Sequence, residues 1–180
     1  RTERMVPMRP KRTWQQRRRL SDPIEEHAAF DDTESKFAIA GHPLHAMLIT
    51  YPIALAFLTF GADAMFWWTG DAFWPRAAVW TAGIGFIMGV VAGISGTVEL
   101  LIVPGIRIRA PSWTHFILAC TLLSVLGVNW GYRLPDPQEA VLPVGILISA
   151  LGLLMTTITG WHGGKLVFDY QIGTQQDHGN

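Results

Sequence analysis

Gly41-His42-Pro43-Leu44-His45 opens an apolar run that continues to Phe66 and carries two imidazoles at its mouth. Proline suits the first position of a helix, where its missing N–H would have had no partner. The sequence therefore predicts a helix from Pro43, with His42 as its cap and His45 in its first turn. Three further apolar blocks follow, at about 77–103, 111–130 and 141–161. Each is near the roughly twenty residues that cross about 30 Å of hydrocarbon. The fold expected is all-α: a transmembrane up-down four-helix bundle, with both termini on one side.

Composition agrees. Of 180 residues, 49% are hydrophobic and 16% are charged, which sets the chain apart from ordinary soluble domains. The zero net charge hides a segregation along the sequence. Arg1, Arg4, Arg9, Lys11, Arg12, Arg17, Arg18 and Arg19 make a basic start, and Asp22, Glu25, Glu26, Asp31, Asp32 and Glu34 an acidic sequel. This divides the chain into an extramembrane arm at 1–37, a membrane domain at 38–166 and a tail at 167–180 whose first part is expected to fold back on the bundle. Pro23 after Ser21-Asp22 marks a start for a short surface helix. A basic stretch beside a span reads as a topology signal drawn to anionic lipid rather than a nucleic-acid site. No apolar run lies directly behind it, so a retained signal peptide is not expected. The lone Cys120 excludes an intrachain disulfide and is expected to be a small core residue.

Within the first span, Pro52 removes the hydrogen bond to the Leu48 carbonyl and predicts a kink. Trp67, Trp68, Trp74 and Trp80 bracket the following connection as an interfacial aromatic belt. The second span carries Gly83, Gly85, Gly89, Gly93 and Gly96. At 100° per residue, Gly85, Gly89, Ala92, Gly96 and Glu99 fall on one stripe, so Glu99 is expected to face the interior. His115 stands in the first turn of the third span. His162 follows the fourth, where Gly163-Gly164 is expected to end the helix. Asp63 lies far along the first span and is expected to pair with Arg76 or Arg133 in a structural role.

Four antiparallel spans bring His42, His45, Glu99, His115 and His162 to one end. Only Arg76 and Arg133 fall at the other, so the positive-inside rule makes the histidine end and both termini cytoplasmic. In such a bundle, spans one and three are diagonal, as are two and four. His45 and His115 could then hold haem b between them as axial ligands, with Gly89 and Gly96 admitting the porphyrin edge. His42 and His162 offer a second pair, and Glu99 a group that orients an imidazole or meets a quinone. The same four imidazoles could instead bind a non-haem transition metal. In the plain alternative the histidines cap helices or touch headgroups. The chain is then a cofactor-free accessory subunit of a larger respiratory or photosynthetic membrane complex, its glycine-rich face carrying the contact. A proton channel through Glu99 is a further reading, weakened by the lack of broken or repeated spans. Hydrolysis has no support, for there is no nucleophile elbow, phosphate loop, CxxC or HExxH.

These residues also resemble a family of bacterial four-span membrane domains. The resemblance rests on Gly41 to His45, Tyr51-Pro52-Ile53, Glu99, His115 and the closing Gly163-Gly164-Lys165-Leu166-Val167, and covers about 40–174. It implies the four-span topology and a bacterial inner membrane, with relatives sometimes joined to redox domains. It assigns no reaction. Ala46 departs from the proline usual after the second histidine, and His162 stands where many members have an apolar residue.

Overall fold

The structure, a computed structural model, describes residues 38–39, 42–170 and 172. The basic and acidic arm, including the short helix expected at Pro23, lies outside the described residues. A two-residue antiparallel ladder pairs β1 (Ala38–Ile39) with β2 (His42–Pro43). The chain then enters α1 (Leu44–Leu48) and α2 (Thr50–Thr69), followed by α3 (Phe73–Ile102), the short α4 (Pro104–Arg107), α5 (Ala110–Arg133), a π-helical turn at Val141–Gly145, and α6 (Ile146–Phe168). Together they supply four stretches long and apolar enough to cross a membrane: Leu44–Thr69, Phe73–Ile102, Ala110–Arg133 and Val141–Phe168. The protein is an all-helical bundle.

Local chemistry explains the joints. Pro43 is the residue just before the first helix rather than its first member, because its own backbone is extended and paired with Ala38. The break between α1 and α2 falls at Ile49, one turn ahead of Pro52, where the proline ring cannot accept a regular preceding turn. Gly70 ends α2 in the left-handed conformation (φ 68°), which glycine adopts without steric cost. The expected stop at Gly163-Gly164 is not observed. Helix α6 runs through both to Phe168, since a mid-helix glycine costs only about 0.5–1 kcal/mol.

Neighbours in the bundle are spans one and two, two and three, three and four, and four and one, leaving one–three and two–four as the diagonals. Between the spans the interior is rich in small and polar side chains. Ala56, Ala62, Ala78, Ala82 and Ala92 are buried, together with Thr59, Asp63, Ser95, Glu99, Asn129, Arg133, Ser149 and Thr156. Large apolar residues such as Phe57, Leu58, Ile94, Ile117, Val128 and Leu154 face outward. This inversion suits lipid, where close backbone approach and interhelical hydrogen bonds hold helices together. Trp67, Trp68 and Trp80 are exposed near one end and Trp161 near the other. Cys120 is exposed. It lies on the outward face of α5, so it is not the core residue its apolar neighbours suggested.

The glycines of span two are filled from within the chain. A Cβ on Gly83 would lie 2.6 Å from the Trp130 indole nitrogen, one on Gly85 3.1 Å from Leu55, and one on Gly89 2.7 Å from Leu123. The stripe therefore seats spans one and three rather than an outside partner.

Candidate functional site

The histidine end is built from the first turns of spans one and three and the last turns of spans two and four. His45, half-buried in α1, lays its ring on Gly96, where a Cβ would come within 2.7 Å of Cε1. Its Nδ1 bonds the Ala92 carbonyl at 2.8 Å, using the second lone pair of a helical carbonyl. Diagonally opposite, His115 lies on Gly163 of α6, with Cε1 3.0 Å from the position of a Cβ. The His115 ring also meets the Thr159 backbone and is within electrostatic reach of His45 and His162. His162 turns back on its own helix, Nδ1 to the Ile158 carbonyl at 3.2 Å. Glu99 is 7% exposed; it follows Ala92, Ser95 and Gly96 along one side of α3. The His42 side chain lies outside the described atoms. Its backbone pairs with Ile39.

Three hydroxyls that no sequence pattern singled out belong to this layer. Ser95, Ser112 and Thr159 are buried, and their oxygens lack a hydrogen-bond partner among the described residues, as does His115 Nδ1. Helical spacing was the available signal. Ser112 precedes His115 by three positions and Ser95 precedes Glu99 by four, so each pair shares a face. Beyond the layer, Leu100, Val103, Ile106, Leu166 and Ile172 form an apolar cluster with Phe116 against it. Ile172 reaches it by a backbone bond to the Leu166 carbonyl at 3.0 Å, so this part of the tail does return to the bundle.

Chemically, His45 and His115 present two imidazoles across a diagonal. Among the described residues no group of three or more His, Cys, Asp or Glu side chains could hold a metal ion. Gly89 and Gly96, expected to admit a porphyrin edge, face Leu123 and the ring of His45 itself. A flat ligand lying there would have to displace one or the other.

The far end carries a second polar cluster. Arg133, fully buried at the end of α5, donates to both Asp63 oxygens at 2.7 and 2.6 Å. It also donates to Asn129 Oδ1 (3.0 Å), the Gly145 carbonyl (3.1 Å) and Ser149 Oγ (2.8 Å). Ser149 Oγ donates to Asp63 at 2.6 Å, and Asn129 Nδ2 donates to Ser149 at 3.1 Å. The expected partner of Asp63 is thus Arg133, while Arg76 is exposed. The roles of Asn129 and Ser149 were not read from sequence.

Compared with known proteins, residues 41–176 match the model of a family described as "Predicted membrane protein (DUF2231)". No curated protein and no solved structure matches the chain.

Proposed function

From the premise that the chain belongs to the DUF2231 family of predicted membrane proteins, we propose that it is an accessory subunit, without a cofactor of its own, of a larger redox complex in a bacterial inner membrane. The observation that carries this reading is the seating of the imidazoles by the chain itself. His45 is fixed on Gly96 and the Ala92 carbonyl, and His115 on Gly163. The glycines of span two are likewise occupied by Trp130, Leu55 and Leu123, so the outer apolar faces, not the glycine stripe, meet lipid and partner. Both termini are cytoplasmic on this reading, because Arg107, Arg109 and Lys165 stand at the histidine end and the other basic residues, Arg76 and Arg133 apart, precede span one in the sequence.

A second reading has its own support. A histidine whose Nδ1 is held by a backbone carbonyl keeps its Nε2 lone pair for a metal, which is how His45 is held. His115, on the diagonal, has a buried Nδ1 without a partner among the described residues. Haem b between these two, with Glu99 beside a quinone, would make the chain an electron-transfer subunit.

The deciding experiment isolates the tagged chain from native membranes in mild detergent, then records its absorption spectrum, metal content and companions. The accessory reading expects a colourless, metal-free protein bound to another membrane subunit. A Soret band that disappears in the His45→Ala, His115→Ala double variant would replace it with the haem reading. Stoichiometric non-haem metal would replace it with a metal-binding protein.

A further inference from the structure

Beside the Asp63–Arg133 cluster, on the side toward the histidine end, all four spans line one small cavity. Its walls include Thr59 from span one, Thr81 and Gly85 from span two, Asn129 from span three and Ser149 from span four. Its volume is about 10 Å³, close to the least that holds one water, and a water also needs two to four polar partners.

A count of hydrogens identifies those partners. The Asn129 amide has two N–H groups. One goes to Ser149 Oγ, and no described residue accepts the other. Thr59 has a single hydroxyl hydrogen, shared between the Leu55 carbonyl at 2.7 Å and Thr81 Oγ1 at 2.9 Å. Thr81 directs its own to the Ala77 or Ala78 carbonyl, at 3.0 and 3.1 Å. Both threonine oxygens thus keep lone pairs, while Ser149 Oγ is saturated by Asn129, Arg133 and Asp63. One residue with a free donor and two with free acceptors line the same cavity, which is the complement a single water satisfies.

We propose that this cavity binds one ordered water, which accepts from Asn129 Nδ2 and donates to Thr59 and Thr81. The Asp63–Arg133 cluster by itself joins spans one, three and four. Through the water it extends to Thr81, so one hydrogen-bonded network clasps all four helices. The water is a structural ligand of the bundle interior, independent of whether the histidine end holds a cofactor.

The test uses the full chain in lipid nanodiscs, with asparagine labelled on its side-chain nitrogen. Water-selected NMR should show transfer from a long-lived water to the Asn129 amide. That signal should be lost when Thr59→Val is combined with Thr81→Val, and kept when both become serine. A folded wild-type chain lacking the water signal, or a signal that survives both valines, would each overturn the proposal. If the valine variant does not fold, the wild-type spectrum still decides.

Discussion

Arg133 and Asp63 stand 70 positions apart in sequence and meet through two parallel hydrogen bonds, each side chain wholly buried. The pair spans the diagonal between spans one and three, whose helices otherwise pack on spans two and four. Removing one partner leaves an uncompensated charge away from water. Asp63→Asn or Arg133→Met should therefore cost about 3–5 kcal/mol, while the double change Asp63→Leu with Arg133→Met should cost less than either alone. Arg133→Lys should not rescue, because an ammonium cannot reproduce the planar fork. Thermal unfolding in detergent, followed by circular dichroism, measures all four.

Ser149 is the hub beside that pair, with bonds to Asp63, Arg133 and Asn129. Ser149→Ala keeps the packing nearly intact but strips a partner from three buried groups. It should lose about 1–3 kcal/mol. The control is Thr157→Ala on the exposed face of α6, where only a bond to the Leu153 carbonyl is lost. That change should stay within about 0.5 kcal/mol, read from the same unfolding curves.

The glycines divide sharply by what faces them. Gly83→Ala drives a methyl against the rigid Trp130 indole and Gly96→Ala against the His45 ring, and each should cost about 1–3 kcal/mol. Gly61 and Gly160 have open space around them. Alanine there should be neutral or add up to about 1 kcal/mol through helix propensity. Unfolding midpoints across the four variants give the order, and tryptophan fluorescence should shift in Gly83→Ala alone.

The two diagonal histidines should also separate. His45→Leu removes a hydrogen bond to Ala92 and should cost about 1 kcal/mol. His115→Leu removes a buried Nδ1 that has no partner among the described residues together with the ring's contact to the Thr159 backbone, so the loss should be smaller than for His45→Leu. Equal and large losses in both, accompanied by loss of a chromophore, would mean that they share a haem.

Much of the frame was legible along the chain. Hydropathy marked the four spans, Pro52 foretold the joint at Ile49, and antiparallel threading put His45, Glu99, His115 and His162 at one end. The occupants of the glycine stripe were not legible. Helices that are apolar nearly all round carry no periodic signal to say which side meets a neighbour, so Leu123, Trp130 and His45 itself could not be assigned to Gly89, Gly83 and Gly96. Ser95, Ser112 and Ser149 escaped notice for a related reason: a hydroxyl in a membrane helix can bond its own preceding carbonyl, and only its surroundings reveal that it does something else.

Length, hydropathy and proline positions are properties of consecutive residues, and they determined the number, order and breaks of the spans before any packing was known. The rotation of each helix about its axis depends on residues tens of positions away. Tertiary structure alone chose Arg133 over Arg76 for Asp63, laid two imidazoles on two glycines, and drew Thr59, Thr81, Asn129 and Ser149 around one cavity.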